Sequence, residues 1–427
     1  MTGRVHAIRP VAEHGPAEVP AQLASALAVE AAVSAIRRGE MVIVCDGDDR
    51  ENEGDLIAAA ELVTPELVAD MVRLTSGVLC VAVDGPRLDE LALPPMVLRN
   101  EDPRGTAYTV SVDFRHGTTT GISAADRAAT IKHLADPRST AQDFVRPGHV
   151  FPLRYQPGGV LCRPGHTEAA VDLARAAGVQ PAAVLSEVVG SNGAMARRPE
   201  LRTLAEKSGL CMISIEDLIQ YRWLRETLVE KVATAQMPTE FGTFTAHSYR
   251  SLVDGVEHLA LVMGEPSGQD VPIRVQSECV TGEVFGSLRC DCGDQLQFAM
   301  RRVAELRRGV IVYLRGQEGR GIGLAEKIKA YSLQDRGYDT VEANLHLGHP
   351  VDGRTYGIAG QILRDLGVRA GQLMTNNPDK LAGIRAYLPD GLDRIPLVMP
   401  RRPENLHYMQ TKQLRLGHLT QEEKDIV

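Results

Sequence analysis

Long apolar runs are missing from this chain. No stretch of its 427 residues is apolar for long enough to cross a bilayer as a helix. The first twenty residues also lack the apolar centre of a secretory signal, being interrupted by His6, Arg9, Pro10, His14, Pro16 and Pro20; they read as a loose tail. Positive charge is in deficit: 47 Lys and Arg against 55 Asp and Glu leave a net charge of −8. That gives no general basis for binding nucleic acid or a membrane surface, and no nucleic-acid module is recognisable. A disulfide framework is missing too. Seven cysteines are an odd number, and Cys45, Cys80, Cys162 and Cys211 are scattered, as suits a reducing compartment. The expectation is a cytoplasmic protein. With 44% hydrophobic and 24% charged residues, the composition is that of a globular protein, and the length predicts two or more domains.

The other three cysteines stand together. Cys279 is followed by a short loop and then by Arg289-Cys290-Asp291-Cys292-Gly293. A disulfide between Cys290 and Cys292 would strain its ring. Three thiolates on one ion is the easier reading, and Zn²⁺ accepts soft thiolates tetrahedrally. Three protein ligands leave a fourth position for water, as at a catalytic site. A structural zinc would need a fourth donor, for which His247 and His258 are available. Buried, inert cysteines are the bland alternative.

In the first half, Ala21 to Arg38 reads as a helix with Gly39 as its stop, and Met41 to Cys45 as a buried strand. The loop after it, Asp46 to Asp55, carries many carboxylates around Arg50. It is either a solvated acidic turn or a site for Mg²⁺, which takes oxygen ligands. Leu56 to Ala60 and Thr106 to Asp113 read as strands, and Pro65 to Thr75 as a helix. His116 to Gly121, before the helix opening at Ile122, reads as a weak anion cradle. Arg146-Pro147-Gly148-His149 and Arg163-Pro164-Gly165-His166 echo each other as two turns ending in histidine. The second opens a helix from Thr167 to Ala177, so Arg163, Thr167 and the helix N-terminus can hold a phosphate, with His166 as a metal ligand beside the acidic loop.

Together, Asp49 to Asp55, Thr118 to Arg127 and Arg163 to Glu168 resemble the 3,4-dihydroxy-2-butanone 4-phosphate synthases of riboflavin biosynthesis. The resemblance covers about residues 22 to 220. It implies conversion of ribulose 5-phosphate to dihydroxybutanone phosphate and formate, with Mg²⁺ or Mn²⁺. It implies Glu51 and His166 as metal ligands, and Arg50, Glu51, Asp55, Arg163, Pro164, Gly165, His166, Thr167 and Glu187 as the sugar-phosphate site. His149 and Glu187 fall on the catalytic positions. One departure is the turn Gly190 to Ala194, which lacks an acidic pair and a hydroxyl common in the family.

The second half, from a boundary read at 224, has strand texture at Leu228–Thr234, Phe241–Tyr249 and His258–Met263. Gly293 to Arg308 reads as an amphipathic helix with Leu296, Ala299, Met300 and Val303 inward, and Val310 to Leu314 as a strand. Arg315 to Gly323 then offers four glycines and two arginines, suited to close approach of phosphates. With Ser277-Glu278-Cys279, Gln317 to Arg320 and Thr375-Asn376-Asn377-Pro378, this half resembles GTP cyclohydrolase II. The resemblance implies loss of C8 of GTP as formate, release of diphosphate, and one zinc on Cys279, Cys290 and Cys292, with Mg²⁺ accompanying GTP. It implies Arg274, Val275, Gln276, Ser277, Glu278, Gln295, Glu318, Gly319, Arg320, Thr340, Thr375 and Lys380 around the nucleotide. Tyr331 would lie near the ring, Asp352 would accept a proton, and Arg354 is the family's proposed nucleophile, though a protonated guanidinium suits a charge clamp better. Gln276 stands where histidine is usual and Glu283 where aspartate is common.

The whole chain therefore reads as α+β, two mixed α/β-type domains of residues 1–224 and 225–427. It resembles a bifunctional enzyme, a lyase joined to a zinc-dependent hydrolase, expected as a homodimer or higher homo-oligomer. The alternative keeps only the second half active and makes the first structural; a zinc-stabilised nucleotide-binding regulator is a more distant one.

Overall fold

The computed structural model describes residues 21–48 and 50–419; the loose tail read at 1–20, and Asp49 in the acidic loop, lie outside them. The chain divides into two compact units, 1–221 and 222–427.

The first unit is built on a mixed seven-stranded sheet: β1 (Val42–Cys45), β2 (Gly54–Ala59), β3 (Cys80–Val83), β4 (Val112–Phe114), β5 (Phe144–Arg154), β6 (Ala182–Glu187) and β7 (Cys211–Ser214), in the order β4-β5-β3-β6-β2-β1-β7. The central strands are mostly apolar because both faces are covered, and the polar residues Asp55, Ser186 and Glu187 fall at the ends of β2 and β6. Val42, Val44 and Ile57 pack with the helices Ala21–Arg37 and His166–Ala177, through Val29, Ile36, Ala170 and Leu173. Ile43, Leu56 and Ala58 face the helices Pro65–Leu74 and Ala124–Ala135, through Val68, Met71 and Ile131. Neighbouring residues on one strand thus serve opposite layers, as the pleat requires.

Two expectations are corrected here. The strand read at Thr106–Asp113 is confined to Val112–Phe114, and Tyr108 and Thr109 make only isolated bridges. The two Pro-Gly-His turns are not equivalent: His149 lies inside the eleven-residue β5, whereas His166 is the first residue of its helix.

The second unit holds β8 (Val229–Thr239), β9 (Gly242–Ser251), β10 (Glu257–Met263), β11 (Val271–Ser277), β12 (Gly309–Leu314), β13 (Ala370–Met374) and β14 (Gly391–Ile395), in the order β14-β13-β11-β12-β10-β9-β8. Strands β8, β9, β10 and β12 pair antiparallel, and β12, β11, β13 and β14 parallel. Helix Gly357–Asp365 covers one face through Ile358 and Ile362, and helix Cys292–Leu306 the other through Ala299 and Val303. The chain leaves β11 for β12 on one side and returns to β13 on the other. That switch opens a crevice beyond the carboxyl ends of the parallel strands, where α/β sheets bind ligands. The loops following β11, β12 and β13 carry the cysteines, the glycine-rich segment and Thr375 to Lys380. No helix among the described residues is long and apolar enough to cross a membrane.

Candidate functional site

At the end of β11 the three cysteines converge. One ligand atom from each of Cys279, Cys290 and Cys292 lies within 4.8 Å of the others, and Cys279 Sγ is 3.7 Å from Cys290 Sγ. The donor set fits a soft cation: without one, only one of three packed sulfurs can ionise. That one is Cys279, pulled down by hydrogen bonds from Cys290 and Cys292 and by the Lys327 ammonium, while its partners are pushed up by the same contact. Lys327 Nζ donates to Cys279 Sγ at 3.2 Å and to Thr281 Oγ1 at 2.8 Å, and it pairs with Glu318. Neither His247 nor His258 joins the cluster; His247 is bonded to Thr234, and His258 Nδ1 accepts the Arg315 N–H.

Two cavities that share wall residues lie beside the cysteines. One is lined by Glu278, Gly319, Tyr331 and Thr340 beside the three sulfurs. The other is lined by Arg274, Gln276, Gln295, Thr375 and Lys380. Ser277, Cys292, Arg320, Arg354 and Tyr408 belong to both. Arg320 adopts φ 66° in the glycine-rich loop, is 8% exposed, and has no partner for either terminal nitrogen among the described residues. A buried guanidinium with unmet donors points to an oxyanion ligand. Burial lowers Arg274 to about 10, and its donors reach Gln276, Gln295 and the Met374 carbonyl. Lys380 is also lowered by burial and donates to the Val275 carbonyl at 2.7 Å.

Some predicted nucleotide contacts are already committed inside the protein. The Val275 side chain is in the core, so only its backbone can contribute. Glu318 accepts the Val280 N–H at 2.6 Å with one oxygen and Lys327 with the other, bracing the loop that carries Cys279. Asp352 is paired with Arg354, whose Nε lies 2.9 Å from Asp352 Oδ1.

In the first unit, Asp46, Glu51 and His166 each bring a ligand atom within 4.8 Å of the others. Glu51 and His166 are the ligands expected from the sequence, and Asp46 is not among those expected. The cue was there: Asp46 closes β1, where its buried carboxylate accepts the N–H groups of Glu51 and Glu53 and so folds the acidic loop back on itself. Burial raises Asp46, but the Glu53 and Glu51 N–H groups and Arg50 outweigh it and hold the carboxyl below its usual range. Burial lowers His166, leaving a neutral ring; its Nε2 and Asp55 Oδ1 are buried without a hydrogen-bond partner among the described residues. Burial beside Glu187 and Glu51 pushes Asp55 well up. Orphaned oxygen and nitrogen atoms among carboxylates fit a hard divalent ion.

The cavity beside them is lined by Arg50, Glu51, Asp55, Arg163, His166, Thr167 and Glu187, and also by Tyr108. Pro164 and Gly165 are not among the lining residues, but Gly165 lies against two that are: a Cβ on it would lie 2.6 Å from Arg163 and 3.1 Å from Arg50. His149 is not among the lining residues. Its Nδ1 lies 2.8 Å from Asp113, and its own N–H donates to the same carboxylate, which leaves Nε2 free. The cradle read at His116–Gly121 is already filled, since Thr119 and Gly121 donate to Asp126 of this chain. The altered turn bonds internally, Gly190 to Ala194 and Ala194 to Asn192. Arg197 beyond it clasps the carbonyls of Glu51 and Asn52.

Comparison with known proteins agrees with both halves. Residues 30–221 match the family model of 3,4-dihydroxy-2-butanone 4-phosphate synthase, and 230–389 that of GTP cyclohydrolase II. The "Riboflavin biosynthesis protein RibBA" of Rhodococcus jostii is 57% identical over 91% of this chain and 95% of its own. A "Probable bifunctional riboflavin biosynthesis protein RIBA 2, chloroplastic" of Oryza sativa is 55% identical over 92% of this chain and 71% of its own. Among solved structures, RibBX from A. baumannii, described as a two-domain 3,4-dihydroxy-2-butanone 4-phosphate synthase, is 36% identical with a TM-score of 0.67, over 87% of this chain and 99% of that one. The chain belongs to the bifunctional riboflavin biosynthesis proteins that join a 3,4-dihydroxy-2-butanone 4-phosphate synthase domain to a GTP cyclohydrolase II domain.

Proposed function

We propose that the first unit converts ribulose 5-phosphate to 3,4-dihydroxy-2-butanone 4-phosphate and formate, and that the second opens the guanine ring of GTP with release of formate and diphosphate. The first activity is a lyase, the second a hydrolase. The observation that carries the second is the convergence of three sulfurs beside a cleft walled by Arg320, Arg354, Arg274 and Lys380.

Cys279, Cys290 and Cys292 would hold zinc, which supplies Lewis acidity and acidifies water enough to attack an electron-poor carbon. Lys327 offsets the excess negative charge of three thiolates. Tyr331 faces the same cavity, its hydroxyl 3.2 Å from Thr281, and borders the ring. Arg320 and Arg354 take phosphate oxygens as fixed positive charges. Asp352 is held ionised because Arg354 outweighs its burial, so it can accept a proton. Arg354 serves as a clamp rather than a nucleophile, since the same ion pair raises it further.

In the first unit Asp46, Glu51 and His166 would hold Mg²⁺ or Mn²⁺, which stabilises charge developing on a carbonyl oxygen. Arg50, Arg163 and the N-terminus of helix His166–Ala177 bind the sugar phosphate. Glu187 moves protons within the cavity. His149 lies outside this cavity, held by Asp113 through Nδ1, and stands as the second proton carrier on the resemblance alone. The seven free cysteines support a cytoplasmic setting, and a homodimer or higher homo-oligomer is the assembly we expect.

Each substrate offered separately, with and without a chelator, tests the reading. Formate is expected from both, and diphosphate from GTP alone. Formate from GTP but none from ribulose 5-phosphate with Mg²⁺ would leave the first unit a structural module.

A further inference from the structure

The cleft of the second unit has a wall beyond residue 389, where the matched cyclohydrolase segment ends. Asn405 accepts the Arg402 N–H at 2.9 Å and sets up the helix Leu406–Leu416. Tyr408 and Lys412, four residues apart, share one face of that helix. Gly417 takes φ 61°, a left-handed C-terminal turn that suits glycine. The chain then doubles back, so that the Leu419 N–H reaches the Asn376 carbonyl at 2.9 Å. By this route Tyr408 comes to line both cavities, and Lys412 and His418 the cation-rich one.

The attachment is made mainly of charge. Arg402 forks onto Asp294 at 2.6 and 3.1 Å, Lys412 pairs with Asp291 at 2.7 Å, and Arg415 pairs with Asp339. Asp291 stands between two of the cysteines, Asp294 lies in the first turn of helix Cys292–Leu306, and Asp339 caps helix Thr340–His346. Within helix Leu406–Leu416 only Thr411 is buried, and Leu414 is 81% exposed. The helix gains almost nothing from apolar burial; the Arg402 and Arg415 pairs are part-exposed and weak, and the buried Lys412–Asp291 pair is the strong tie among the three.

Beneath it lies unsatisfied positive charge. The orphaned Arg320 guanidinium sits 5.9 Å from the Tyr408 ring centroid, and Lys380, Arg274 and Arg354 line the same cavity as Lys412. Lys412 gives one hydrogen bond to Asp291 and carries three N–H donors, so an oxyanion can be taken as well.

We propose that residues 400–419 are a cap that closes over the phosphates of the bound nucleotide, with Lys412 bonding phosphate oxygens directly and Tyr408 positioning Arg320 beneath them. This rests on the reading of the cleft as a nucleoside triphosphate site. The cap answers to phosphate and not to the purine, so its occupant can be a simple polyanion.

Inorganic triphosphate is the probe, with the zinc-loaded full chain, its Lys412→Met variant and a chain ending at Pro400. Calorimetry should show triphosphate binding weakened about tenfold to a hundredfold in Lys412→Met, the scale of a lost charged hydrogen bond, and by more in the shortened chain. Hydrogen exchange across 406–416 should slow when triphosphate is added to the full chain. Zinc content of each protein checks that the cleft itself is intact. Equal triphosphate affinity in all three, no binding by the full chain, or exchange indifferent to triphosphate would overturn the cap. GTP turnover separates the two ideas. A full chain that binds triphosphate under the cap but never opens GTP removes the cyclohydrolase reading and leaves the cap standing. A shortened chain that opens GTP with unchanged KM removes the cap and leaves the reading.

Discussion

The Gln276 side-chain amide donates to the Glu283 carboxylate at 2.5 Å. These are the two positions at which the second half departs from the usual cyclohydrolase residues, and they touch. Gln276 also accepts two hydrogen bonds from Arg274, and Glu283 accepts the Cys279 N–H at 3.2 Å. The pair thus ties a guanidinium of the nucleotide cleft to the backbone of a cysteine in the metal cluster. Gln276→His and Glu283→Asp should each lower cyclohydrolase turnover, and the double variant should recover part of the loss. The expected coupling is about 0.5–3 kcal/mol, measured as a double-mutant cycle on kcat/KM. Strictly additive losses would show that the contact between the two carries no coupling.

Lys327 holds Cys279 Sγ, Thr281 and Glu318 together. Lys327→Met should weaken zinc binding about 10–100-fold, as loss of a residue supporting a metal ligand does. Competition with a chelator reads this without reference to turnover. Pairing it with Glu318→Gln should restore some affinity, because the single variant strands a buried carboxylate. Unchanged zinc affinity in Lys327→Met would leave the lysine a packing role only.

Much of this was legible in the sequence, for physical reasons. Ligand cysteines, glycine-rich loops and acidic loops are local signals, and each sits at the end of a buried strand that periodicity reveals. The helix Cys292–Leu306 and strand β12 lie within two residues of their expected bounds. What escaped depends on contacts between distant segments. Asp46 stands directly after the strand read at Met41–Cys45, a cue in itself, but it opens a run of carboxylates, and only the folded site shows which of them meets His166. Lys327 is one turn from Tyr331, a spacing that puts both on one face, but which face meets the cysteines is decided by packing. Strand β4 was read too long because Tyr108 and Thr109 alternate like a strand yet make only isolated bridges. His149 and His166 look alike in sequence and differ because one Pro-Gly lies in the irregular stretch of a long strand, between the paired Val145 and Val150, and the other opens a helix.

Burial and the cations Lys412, Arg320 and Arg354 hold His418 at about 3, against the opposing carboxylate of Asp291. In a detached segment the ring titrates near 6.5. The docked state therefore binds fewer protons than the detached one between these values. Docking is at full strength above about pH 6.5 and weakens as pH falls below it, by up to about 1.4 kcal/mol per unit. Hydrogen exchange across helix Leu406–Leu416, corrected for its intrinsic pH dependence, should be faster at pH 5.5 than at pH 7.5. His418→Gln should abolish that acid-side loosening.

The Arg354–Asp352 pair bears on how diphosphate leaves. With its Nε 2.9 Å from Asp352 Oδ1, the guanidinium stays protonated and cannot attack phosphorus. Arg354→Lys keeps the charge and should retain near-normal turnover with no covalent guanylyl-enzyme, as read by mass spectrometry of the quenched reaction. A trapped adduct in the parent enzyme that disappears in the lysine variant would favour the nucleophile instead.

Gly165 makes the sharpest test of the first unit. Its φ of −118° is open to any residue, so alanine imposes no backbone strain. The added Cβ would instead lie 2.6 Å from Arg163 Nη1, 2.8 Å from Glu168 Oε2 and 3.1 Å from Arg50 Nη2. All three are ends of flexible side chains, so they can move aside and the fold survives. In moving, however, Arg163 gives up its 2.6 Å ion pair with buried Glu168, and both arginines leave the positions where they would meet the sugar phosphate. Gly165→Ala should therefore raise KM for ribulose 5-phosphate about tenfold or more, change thermal stability little, and leave GTP turnover untouched. An unchanged KM would mean that the phosphate is bound elsewhere in the cavity.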